Sequence, residues 1–174
     1  NGSGTITVTA TADKEVADKA PELTTDLRFD DAKNAGWKVD GPNALKDGGY
    51  ELVLSHSFST PEAANALLAQ LNGAKGPLHD VVLARSGKDT NSTWTLNGRL
   101  EVNGGLEAFV DDNTLSLLGG APYADAVRRS NMDLGDAVGI TFVAALPGSV
   151  KETTAARDGS VLTWRIPMDG TSTE

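Results

Sequence analysis

The sequence predicts an α+β domain: a mainly antiparallel, curved sheet with helices packed on one face and a helical insertion. Three observations carry this expectation. Residues 5–12, 50–58 and 92–102 alternate apolar and polar side chains with the period of a half-buried strand. Residues 60–73 hold one apolar stripe at helical spacing between a start and a stop signal. Short turn signals separate most neighbouring strand segments, which favours antiparallel pairing over long parallel crossovers.

The elements follow in chain order. From Thr5 to Ala12, Thr takes the odd positions and apolar residues the even ones, so one strand face is hydroxyl-rich and the other apolar. Asp13 caps a helical segment carrying Val16, Ala17, Ala20, Leu23 and Leu27, which Pro21 splits into two pieces because it lacks an N–H and clashes with the preceding turn. A further turn from Asp30 to Ala35 stops at Gly36, and an extended segment begins at Trp37 and ends at Gly41-Pro42. After the Lys46-Asp47-Gly48-Gly49 turn, Tyr50, Leu52, Leu54, His56 and Phe58 share one strand face.

The clearest helix has Thr60 as N-cap, Pro61 at the first helical position, Glu62 facing the dipole, Ala64, Leu67, Leu68 and Leu71 as its apolar stripe, and Gly73 at its end. Leu78 to Arg85 and Ser92 to Val102 read as adjacent antiparallel strands joined by Ser86-Gly87-Lys88-Asp89. Residues 104–136 read as an irregular helical insertion hinged at Gly119-Gly120-Ala121-Pro122. Strands then resume at 140–146, 150–154 and 161–166, with a turn at Arg157-Asp158-Gly159, and residues 168–174 read as linker. A doubly wound nucleotide fold is disfavoured, since no glycine-rich phosphate loop follows any strand.

At 174 residues the chain is predicted to form one domain, residues 1–167, large enough to bury roughly 70% of its unfolded surface. The net charge of −9 argues against nucleic acid as the main partner. With no Cys, thiolate catalysis, iron–sulfur ligation and thiolate zinc sites are excluded, and two His remain for any imidazole site. The longest apolar run, 138–146, is broken by Gly139 and Thr141 and closed by Pro147, well short of the roughly 20 residues that span a bilayer.

No catalytic or metal set stands out. His56 falls on an aromatic strand face and reads as a core or edge histidine, and His79 as a loop residue. No Gly-x-Ser-x-Gly elbow is present. Asp30-Asp31 and Asp111-Asp112 are adjacent acids of the kind that start helices or face solvent. Glycoside hydrolysis would need two carboxylates facing one cleft. Asp111-Asp112-Asn113 lacks the alternating acidic pattern and following Glu of a calcium loop. Arg128-Arg129 is the only adjacent basic pair, and its guanidinium forks suit a phosphate.

Several segments together resemble the extracytoplasmic domain of LppM-type actinobacterial lipoproteins. They are 2–8, Leu27-Arg28-Phe29-Asp30-Asp31-Ala32, 35–42, Gly48-Gly49-Tyr50, 58–64, 104–109, Leu146-Pro147-Gly148 and Trp164. The resemblance implies a signal peptide ending in a lipidated Cys before Asn1, a C-terminal membrane anchor after the 168–174 linker, and no catalysis or cofactor. It also implies binding of an envelope lipid or glycolipid such as a phosphatidylinositol mannoside. On that reading Trp37, Tyr50, Leu54, Phe58, Leu106, Phe109 and Tyr123 would line an apolar pocket between the sheet and the insertion. Arg128 and Arg129 would meet a headgroup phosphate. The alternatives are a protein–protein interaction or structural module of an envelope assembly, using an exposed strand edge or the Thr face of residues 5–11, and a carboxylate-based hydrolase using Asp111 or Asp112.

Overall fold

A computed structural model describes residues 3–19, 21, 29–71, 77–88, 91–102, 137–146, 148–166 and 172–173. The elements are β1 (Gly4–Ala12), α1 (Lys14–Lys19), α2 (Asp30–Asn34), β2 (Lys38–Ala44), β3 (Tyr50–Phe58), α3 (Pro61–Leu71), β4 (Leu78–Lys88), β5 (Asn91–Leu100), β6 (Val138–Ala145), β7 (Ala156–Asp158) and β8 (Val161–Ile166). Six strands form one antiparallel sheet in the order β2-β3-β1-β6-β8-β7, and β4 and β5 form a separate hairpin.

The expected α+β class is therefore corrected: the described chain is mostly β. Its helices are short, with six residues in α1, five in α2 and eleven in α3. The physical reason lies in β4 and β5. Their alternation makes an amphipathic hairpin whose Leu78, Val81, Leu83 and Leu100 face the core, so a second β element shares with α3 the covering role expected of helices. The expected insertion at 104–136 lies outside the described residues.

Pairing fixes the core. Val8 stands opposite Leu54 on one side and Phe142 on the other, Leu54 opposite Val39, and Phe142 opposite Trp164. One apolar row thus crosses five strands, and the Phe142 and Trp164 rings meet at 5.8 Å. Ile6, Leu52, Ile140, Ala144, Leu162 and Ile166 fill the flanking rows. Gly4 is required where β1 starts, because a Cβ there would stand 2.5 Å from the Phe58 ring.

Two further expectations are corrected. The extended segment from Trp37 does not end at Gly41-Pro42 but continues as β2 to Ala44, with a register shift between Asp40 and Asn43. β2 is an edge strand, where a missing N–H costs no ladder bond and a bulge absorbs the proline. Residues 150–154 are not a strand; β7 forms instead at Ala156–Asp158, within the expected turn. Lys151, Glu152, Thr153 and Thr154 are all exposed and supply no apolar face. Thr154 instead accepts a 3.0 Å hydrogen bond from the Trp164 indole. At the C-terminal end, Thr173 and Leu100 exchange both backbone hydrogen bonds at 2.8 Å, so part of the expected linker is held on the hairpin.

Helix α3 starts as its sequence predicts, with Thr60 Oγ1 accepting the Ala63 N–H at 3.2 Å and Ala64, Leu67 and Leu68 buried. Asn65 on this helix does something the sequence does not announce. Its Oδ1 accepts the Leu83 N–H at 2.7 Å and its Nδ2 donates to the Leu83 carbonyl at 3.0 Å. The side-chain amide thus completes the outer edge of β4 as a neighbouring strand would.

Asn65→Ala leaves both Leu83 backbone groups without these partners and is expected to cost about 2 kcal/mol in urea unfolding. Asn65→Asp retains only the acceptor and sets a carboxylate against the Leu83 carbonyl. Its deficit is expected to shrink on acidification, as a protonated carboxyl regains a donor. At the start of α3, a bond from its own backbone N–H, then one from the Thr60 hydroxyl, hold the Glu62 carboxyl below its ordinary value. A lowered folded-state value stabilises the fold above the unfolded-state value and loses that effect as pH falls through the folded one. The destabilisation by Thr60→Ala, about 1 kcal/mol at neutral pH, is therefore expected to diminish in unfolding curves recorded toward pH 3, below the ordinary Glu range of about 4.3.

Candidate functional site

Four members of the expected lipid site are described, and of these Phe58 alone borders the cavity found among the described residues. Trp37, Leu54 and Phe58 are 3%, 6% and 5% exposed and belong to the continuous core. Tyr50 is half-buried at the start of β3, opposite Ala12 and Ala44. Leu106, Phe109, Tyr123, Arg128 and Arg129 lie outside the described residues, as do Asp111 and Asp112.

Local structure explains why Trp37 turns inward. The Trp37 N–H returns to the Ala32 carbonyl at 2.9 Å and the Gly36 N–H to Lys33 at 3.0 Å, the paired bonds of a helix-ending Schellman motif with Gly36 at a φ of 90°. This swings Trp37 from the end of α2 onto the core, where its indole N–H donates to Gln70 Oε1 at 3.0 Å. The indole meets the His56 ring edge-on at 5.5 Å.

Between the sheet and the layer of α3 and hairpin lies a void of about 10 Å³, bordered by Ile6, Phe58, Ala64, Leu68, Leu83, Leu96 and Phe142 among others. That is room for about one water molecule. Pockets that bury a drug-sized ligand hold about 300–1,000 Å³.

The two histidines serve local structure. His56 Nδ1 lies 2.7 Å from the Ser57 carbonyl, and His79 Nε2 lies 3.2 Å from that of Glu101. Asp30 is exposed at the first turn of α2. No group of three or more His, Asp or Glu side chains able to hold a metal occurs among the described residues. No helix among them is long and apolar enough to cross a membrane.

The face of the sheet turned away from the core is a different surface. Pairing places Ser57, Thr5 and Ala145 in one row, Ser55, Thr7, Val143 and Thr163 in the next, and Val53, Thr9, Thr141 and Arg165 in a third. Thr11 extends it and donates to the Gly139 carbonyl at 3.3 Å. Its centre is uncharged and rich in hydroxyls, whereas charges sit at its margins on Lys38, Asp40, Glu51 and Arg165. The Thr alternation of residues 5–11 marks β1 of this face in the sequence. The contributions of Ser55, Ser57, Thr141 and Thr163 need the strand register.

Phe58→Ala is expected to destabilise the fold by about 3–5 kcal/mol in urea unfolding, the cost of a cavity in a closed core. A change below about 1 kcal/mol would mean instead that the ring borders an open site. Comparison with family models, with curated proteins and with solved structures finds no match, so the LppM-type resemblance stands on the sequence motifs alone.

Proposed function

We propose that the chain is a non-enzymatic, membrane-anchored domain of the cell envelope that recognises a protein partner on the hydroxyl-rich face of its sheet. The observation that carries this reading is the close packing of the core among the described residues. A void of about 10 Å³ accommodates no acyl chain, and Trp37, Leu54 and Phe58 are consumed by core packing. The opposite face offers the ordered hydroxyls of β3, β1, β6 and β8, which donate and accept equally and suit a polar, wet interface. The envelope location is supported by the resemblance. A non-enzymatic role is supported by histidines engaged with backbone carbonyls.

Placing a photo-crosslinking residue at Thr7 or Thr141 in the native host is expected to trap one discrete protein adduct, and the same residue at exposed Lys151 none. Native mass spectrometry of the protein from that host is expected to show the chain free of acyl lipid, before and after incubation with an envelope lipid extract. A stoichiometric phospholipid or glycolipid in that spectrum, or equal crosslinking from all three positions, would overturn the proposal.

A further inference from the structure

The hairpin has two edges, and they are treated differently. Leu83 and Leu96 face one another across β4 and β5, and the backbone groups of Leu83 point away from β5 to the Asn65 amide. In an antiparallel ladder the groups of Leu96 then point away from β4. Leu100 gives the same parity independently, since its N–H and carbonyl are turned outward to Thr173. Between these two positions, Trp94, Leu96 and Gly98 present their N–H and carbonyl groups on the outer edge of β5. Among the described residues no strand pairs with that stretch.

Other edges of this protein are blunted. β2 carries Lys38, Asp40, Pro42 and a register shift, β7 is three residues long with Arg157 and Asp158, and β4 is capped by Asn65. From Asn91 to Asn97, β5 has no charge, no proline and no register shift; the shift in its pairing with β4 falls opposite Gly98. Such an edge is a template for another strand.

We infer that this edge pairs with the same edge of a second copy of the chain, antiparallel, about a two-fold axis at Thr95. That axis brings outward groups together: Trp94 meets Leu96 of the second copy, and Leu96 meets its Trp94. The strand already continues at Leu100 through the Thr173 bridge, which bounds the pairing and leaves Trp94 and Leu96 to the second copy. Self-pairing fits the chemistry of the edge. A foreign peptide is selected by pockets for its alternate side chains, whereas here Trp94 and Leu96 already pack half-buried against their own core. Two chains of charge −9 also repel least where neither bears a charge, and the stretch is uncharged. The joined hairpins form a four-stranded sheet, with the exposed Thr95 of each copy facing the other on the outer surface.

Sedimentation equilibrium on the whole chain over a concentration series is expected to show a monomer–dimer transition. Thr95→Lys, which sets like charges opposite each other without touching the core, is expected to raise the dissociation constant about tenfold or more. Ser160→Lys, in the exposed turn between β7 and β8, serves as control and is expected to leave it unchanged. Hydrogen exchange is expected to show the Trp94 and Leu96 amides becoming protected as concentration rises. A monomer up to about 1 mM, a dimer indifferent to Thr95→Lys, or exchange at Trp94 and Leu96 independent of concentration would each overturn the inference.

Discussion

The amide of Asn65 joins the two halves of this structure. A two-stranded hairpin standing alone is marginal in water, and β4–β5 gains order by lying over the large sheet. Helix α3 follows β3 directly and packs on both β3 and β4, so whatever fixes α3 to β4 fixes the hairpin over the core. Hydrophobic contact from Leu67 and Leu68 supplies the attraction but sets no register. Two hydrogen bonds from one rigid amide to one residue, Leu83, set it to within a single strand position. A slip of one residue would turn Leu78, Val81 and Leu83 to solvent.

From that placement the two faces of the large sheet acquire opposite roles. The even-numbered residues of β1, β3, β6 and β8 meet α3, the hairpin and Trp37, and among the described residues the void between these layers holds about one water's volume. The odd-numbered ones form the hydroxyl face. Because side chains alternate strictly, the features cannot be tuned separately: the same register that packs Leu54, Val8, Phe142 and Trp164 lines up Ser55, Thr7, Val143 and Thr163. A closed core and an ordered outer platform are one property of the pairing.

Most single elements were legible in the sequence, because they rest on local periodicity and caps. The Thr alternation of β1, the Thr60-Pro61 start of α3 and the Gly36 stop of α2 all appear where the pattern places them. The fold class differs from the expected one because the period of β4 and β5 identifies strands without saying what they cover. The surroundings of the aromatic residues expected near a lipid pocket were equally illegible. Trp37 and Phe58 look alike in sequence whether they line a cavity or fill one, and only the volume left around them decides. The role of Asn65 left no signal, since an Asn on a helix surface is ordinary until a strand edge is brought against it.

Replacing a helical cover by a hairpin also changes what the protein can do. A helix satisfies its main-chain groups internally and offers its neighbours only side chains. A hairpin brings two rows of unpaired N–H and carbonyl groups with it, and each must be met by something. Here one row meets a side-chain amide at Leu83 and the other meets Thr173 at Leu100, both by groups distant in sequence. Among the described residues, the cover of the core is thereby also the part with directional bonding capacity left over, at Trp94 and Leu96. Packing the interior and presenting an edge for assembly follow from the same substitution of strand for helix.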